Sequence, residues 1–126
     1  MALLPDLRVR LCLNIHYDPR FPDPREAVKR FGEVFRKYHW PPDVRLPEIY
    51  YFPRSLEPEE NARAVMHAKC LVLDRRVAFI SSANFTEAAQ LRNIEVGVRI
   101  ADPEVATDLE RHFDHLILQA ALCRVL

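Results

Sequence analysis

Glycine is scarce in this chain: two residues in 126, and only 12 even when proline is added. That excludes a collagen-like repeat or a Gly/Pro-rich disordered tract, and 49% hydrophobic with 29% charged residues fits a globular chain instead. Long apolar runs are missing too. None approaches the roughly 18 residues that a membrane span requires. The opening "MALLPDLRVR" is broken by proline and charge too early for a secretory leader. The expectation is a cytoplasmic protein with no membrane insertion. Net charge of either sign is absent, with 18 basic and 18 acidic residues, so no global field gathers a polyanion. Cysteines are few and odd in number: Cys12, Cys70 and Cys123 lie far apart in apolar contexts. They suit neither a disulfide framework nor a zinc knuckle, and read as buried thiols. His112 and His115 sit three apart with no third ligand at metal-binding spacing, so no metal and no cofactor is expected.

What is present reads as one α/β domain over residues 1–126, near the commonest single-domain size. "LRVRLCLNI" at 7–15 alternates in the period of a strand. A helix-start signature follows, with Asp23 as cap, Pro24 at the first helical position and Glu26 three after the cap. Ala27, Val28, Phe31, Val34, Phe35 and Tyr38 form its apolar stripe, which "HWPPD" ends. "EIYYF" at 48–52 is a second strand, parallel to the first through a right-handed crossover. Residues 53–63 read as an exposed loop. Strands at 66–73 and 77–82, joined by the glycine-free "DRR", make an antiparallel hairpin. A helical turn over 85–93 and a strand "IEVGVRI" at 94–100 come next. The last helix opens at Asp102-Pro103 and buries Val105, Leu109, Phe113, Leu116, Ile117 and Ala120.

The chemistry gathers in "MHAKCLVLDRRVAFISSAN", residues 66–84. Side chains alternate along a strand, so His67 and Lys69 share a side, as do Ser82 and Asn84 on the partner. Antiparallel pairing brings all four to one sheet end. They offer an imidazole, an ammonium, a hydroxyl and a carboxamide, groups suited to the oxygens of a phosphate. Glu95 is placed to accept from the histidine ring and fix its tautomer. Taken singly, these residues fit a structural account: a wet strand end, and Asn84 with Glu87, or Thr86, capping the next helix. Charge supports the grouping. Residues 61–100 hold six Lys or Arg against three acids, whereas 101–126 hold five acids and two Arg.

"HAKCLVLD" has the form H-x-K-x-x-x-x-D, and after six further residues "SSAN" resembles the G-S-x-N that completes the HKD signature of the phospholipase D superfamily. The sequel "FTEAAQLRNIEVGVRI" is similar to the bacterial phospholipase D-like nuclease branch, including the phospholipase D-like component of DISARM phage-defence systems. The resemblance implies a mixed sheet flanked by helices, half of the family's bilobal arrangement. It implies His67 as the nucleophile that forms a phosphohistidine, with Lys69, Ser82 and Asn84 holding phosphoryl oxygens and Glu95 orienting His67. Asp74 closes the motif, on the opposite strand face by parity, and reads as structural at the turn. Three departures stand out. There is a single motif, so the general-acid histidine must come from a second copy, which implies a homodimer with a shared site. Ser81 replaces the family's glycine. The strand and helix that usually precede "LRVRLCLNI" are missing, so the chain covers the later part of a family domain.

The reading is metal-independent phosphodiester hydrolysis, on nucleic acid rather than lipid. Against lipid we count the lack of an amphipathic cationic helix and of an exposed aromatic run. The rival is a catalytically inert phosphate-binding or subunit-interaction module of a larger complex.

Overall fold

A computed structural model describes residues 6–84 and 91–126 and confirms the mixed α/β class. The strands form two three-stranded sheets, one mixed and one antiparallel, in two compact units.

The first unit comprises the residues up to Met66 together with Ile117–Leu126. Strand β1 (Arg10–Leu13) pairs in parallel with β2 (Glu48–Tyr51), Arg10 opposite Glu48 and Leu13 opposite Tyr51. This is the expected strand, helix, strand unit. A two-residue strand β6 (Cys123–Arg124) flanks β2 on its other side, antiparallel, where the sequence reading had no strand. As the central strand, β2 carries the core: Ile49 is completely buried, with Tyr50, Ile15, Leu56 and Leu122 close to it in burial. Burying a side chain such as Ile49 contributes roughly 1.5–3 kcal/mol.

Helix α1 (Pro24–Val34) starts as its sequence dictates, with the Asp23 carboxylate accepting from the Arg25 N–H at 2.9 Å. It continues as a π-turn over Phe35–His39 and stops at Trp40, which is extended before Pro41. Phe35 stacks on Phe31 and on Trp40, at 6.2 and 5.9 Å between ring centres. The helix approaches the C-terminus at Gly32, where an added Cβ would lie 3.4 Å from Leu126 and 3.5 Å from Val125. One expectation is corrected here. The chain does have an amphipathic helix with a cationic side, since Arg25 and Lys29 fall within about 40° of each other at 100° per residue. Most of its apolar stripe is turned to the fold: Ala27, Val28, Phe31 and Phe35 are half-buried and Gly32 buried, whereas Val34 and Tyr38 are exposed.

Residues 53–63 also depart from expectation. Pro53–Leu56 is a 3-10 turn with Ser55 and Leu56 buried, the Ser55 hydroxyl donating to the Phe52 carbonyl at 2.6 Å. The buried serine is thus satisfied locally.

The second unit, His67–Leu116, is an antiparallel meander, β3 (Cys70–Leu73), β4 (Val77–Ser81) and β5 (Gly97–Ile100), followed by helix α2 (Pro103–Leu118). The β3–β4 turn is made without glycine by Asp74 and Arg75, both left-handed at φ 51° and 55°. Asp tolerates that region better than most residues, and Arg75 is held by two hydrogen bonds to Glu110, at 2.8 and 3.1 Å. Asp102 caps α2 by accepting from the Glu104 N–H at 2.9 Å. Of the residues expected in its core, Leu109, Phe113, Leu116 and Ile117 are half-buried, whereas Val105 and Ala120 are exposed. Ala106 takes the most buried place. The helical turn expected at 85–93 falls largely on 85–90, outside the described residues. Strand β5 is shorter than expected, and Ile94 and Val96 before it are exposed.

Candidate active site

Strand β3 begins four residues later than its hydrophobic pattern suggested, so His67 and Lys69 lie on the extended segment that leads into it. Upstream, Asn14 grips the Met66 peptide on both sides: its amide donates to the Met66 carbonyl and its oxygen accepts the Met66 N–H, each at 2.8 Å. This pairing holds the backbone just before the histidine. Sequence reasoning missed it, because only a polar residue in an apolar strand hinted at it.

His67 is exposed rather than packed into hydrocarbon. The Lys69 ammonium donates to the His67 carbonyl at 3.0 Å and lies 3.2 and 3.3 Å from the two ring nitrogens. An ammonium has only donors, so a ring nitrogen facing it acts as acceptor.

Register decides which other groups join them. The Ser81 N–H donates to the Lys69 carbonyl at 3.0 Å, continuing the pairing in which Cys70 faces Ile80 and Leu71 faces Phe79. Lys69 therefore stands opposite Ser81, and Ser81 opposite Gly97. An open depression of about 290 Å³ lies on this face, lined by Lys69, Cys70, Leu71, Phe79, Ser81, Ala83 and Asn84. Lys69 and Asn84 both line it.

Ser82 does not join them. By alternation it belongs to the other face, where its hydroxyl donates to Glu95 at 2.5 Å and accepts the Val96 N–H at 3.1 Å. Glu95 is accordingly paired with Ser82 and not with the His67 ring, which corrects the expectation that it orients the imidazole. Asp74 sits in the turn, the structural position expected for it. Ser81, at the family's glycine position, spans the gap with its own hydroxyl, accepting the Ala83 N–H at 2.9 Å. Its partner across the ladder is Gly97, where a Cβ would come within 3.1 Å of the Ser81 oxygen. The bulk added at one strand is matched by bulk removed from the next.

Burial raises the Cys70 thiol above its ordinary value, so beside this depression it stays protonated and is a poor nucleophile at neutral pH. All three cysteines are free and half-buried, less enclosed than their sequence contexts suggested. Among the described residues, no three His, Cys, Asp or Glu side chains are grouped to hold a metal ion.

A family model described as "Cardiolipin synthase, PLD-like domain" matches residues 23–117, about three quarters of the chain and the whole of the candidate site. No curated protein and no solved structure matches the chain. No helix among the described residues is long and apolar enough to cross a membrane. With its H-x-K-x-x-x-x-D and S-x-N residues inside the matched span, the chain belongs to the phospholipase D-like domain family.

Proposed function

We propose that this protein is a metal-independent phosphodiesterase acting on nucleic acid, with phage defence as its setting. Family membership supports phosphodiester hydrolysis as the general chemistry. The observation that carries the reading here is the exposed His67 ring with the Lys69 ammonium 3.2 Å away, beside a depression that Asn84 also lines.

A His67 ring nitrogen attacks phosphorus, forming a P–N bond while the P–O bond to the leaving alcohol breaks. Lys69 and Asn84 donate to the nonbridging oxygens as charge builds in the trigonal bipyramid. A general acid protonates the departing oxygen, and a second copy's histidine fills that role in a homodimer. Water then attacks phosphorus, the P–N bond breaks, and a phosphomonoester leaves. Ser82 and Glu95 enter as a bonded pair that fixes the end of β4 against the start of β5. Nucleic acid is preferred to lipid because most of the apolar stripe of α1, Ala27, Val28, Phe31 and Phe35, is half-buried in the fold, and the exposed Val34 and Tyr38 leave the cationic side little hydrocarbon for an interface.

Turnover of an oligonucleotide that survives EDTA and is lost in His67→Asn supports this reading. The second reading, an inert phosphate-binding or subunit-interaction module, is favoured by one feature: Glu95 is engaged by Ser82, and among the described residues no carboxylate bonds the imidazole. Phosphate binding by a monomer without turnover supports that alternative.

A further inference from the structure

The face that carries Lys69 holds more than phosphate ligands. Register places Leu71, Phe79 and Arg99 in one row across β3, β4 and β5, next to the row of Lys69, Ser81 and Gly97. Phe79 is half-buried and lines the depression, Leu71 beside it is 43% exposed, and Arg99 is exposed. Among the described residues Arg99 forms no ion pair. Neighbouring strands lie about 4.8 Å apart, so the lysine and the arginine flank the ring from strands roughly 10 Å apart.

We infer that this sheet face is a nucleotide platform: a base of single-stranded nucleic acid stacks on Phe79, while Lys69 and Arg99 hold the phosphates on either side of it. The inference rests on the phosphodiesterase reading and names its substrate class. An aromatic ring on an open sheet, flanked by cations, takes any base because every base has a π-face, and the cations follow the backbone. Gly97 helps keep the platform flat. A lipid's glycerol and acyl chains offer nothing planar to stack, and an open face with a lysine and an arginine beside its ring shields little hydrocarbon. Leu71 widens the apolar surface under the base without closing over it.

The test compares a labelled oligothymidylate with an abasic oligomer of the same length, by fluorescence anisotropy in the His67→Asn background to prevent cleavage. Phe79→Leu, which keeps an apolar side chain without the ring, weakens oligothymidylate binding about 5- to 150-fold, the equivalent of stacking worth roughly 1–3 kcal/mol per base, and leaves the abasic oligomer unchanged. Phe79→Tyr retains binding. Arg99→Ala weakens both oligomers and lowers the slope of log K against log salt by about 0.7. Equal losses for both oligomers in Phe79→Leu, insensitivity of both, or ring-dependent binding to phosphatidylglycerol vesicles instead of the oligonucleotide overturns the inference. The two readings fail separately: ring-dependent binding without turnover in the wild type removes the enzyme and keeps the platform, whereas turnover indifferent to Phe79 removes the platform and keeps the enzyme.

Discussion

Asn14 closes two hydrogen bonds on a single residue, donating to the Met66 carbonyl and accepting its N–H. Asn14→Ala leaves both groups of a part-buried peptide unpaired and is expected to destabilise the fold by about 1–3 kcal/mol in urea unfolding. An unchanged midpoint would show that water replaces the amide. A second residue-scale expectation concerns pH. The Arg20 side chain, first by its hydrogen bonds and then through its N–H, holds the Asp18 carboxyl down at about 2 from 3.8. A carboxyl depressed in the folded state stabilises above its unfolded value, so this contribution is present above pH 4 and is lost as pH falls from about 4 to about 2. In a carbon-13 titration Arg20→Ala should raise Asp18 part of the way back towards the ordinary carboxylate range, the N–H at position 20 being kept, and high salt should weaken the side-chain effect because the pair is exposed. At this scale the sequence is legible where a residue acts on its own neighbours. Asp23 and Asp102 cap the helices they precede. The partners of Asn14 and Glu95 lie 52 and 13 residues away, and no local pattern specifies them.

Hydrophobic period located the strands but overestimated their length. Residues 66–69 have the alternation of β3, yet the ladder assigned to it begins at Cys70, because pairing partners decide where a strand starts. Parity within a strand placed Ser82 with Asn84, but β4 ends at Ser81; register across the hairpin puts Ser81, not Ser82, opposite Lys69, and Asn84 lines the depression without Ser82. The turn and the short closing strand β6 were harder to read, since neither has the glycine or the length that marks such features. Two element-scale predictions follow from crowding and from backbone sign. Gly97→Ala presses a methyl within 3.1 Å of the Ser81 hydroxyl and 3.3 Å of the Ile80 carbonyl, which should cost about 1–3 kcal/mol. Ser81→Gly in the same chain should recover part of that loss, and additive effects in the double-mutant cycle would refute the pairing. After α2 the chain turns through Ala120 at φ 58°, a left-handed position exposed to solvent. Ala120→Gly should therefore stabilise by about 0.5–1 kcal/mol, read as a higher melting temperature, and a drop would show that alanine's side chain matters there.

For the molecule as a whole, the family was legible from a handful of residues at fixed separations, and the matched span of 23–117 bears it out. The site's three-dimensional arrangement was legible only in part: Lys69 and Asn84 share a depression, while Ser82 and Glu95 pair elsewhere. The single motif makes oligomeric state a functional variable. If the general acid comes from a second copy, specific activity falls on dilution below the dimer's dissociation constant, and sedimentation should show the dimer disappearing over the same concentrations. The most direct measurement is to quench the protein shortly after mixing with an oligonucleotide in EDTA and map its phosphorylated peptides by mass spectrometry. A phosphoryl adduct on His67, absent in His67→Asn, is the expected result; turnover without an adduct there, or an equally active His67→Asn variant, would overturn the nucleophile assignment.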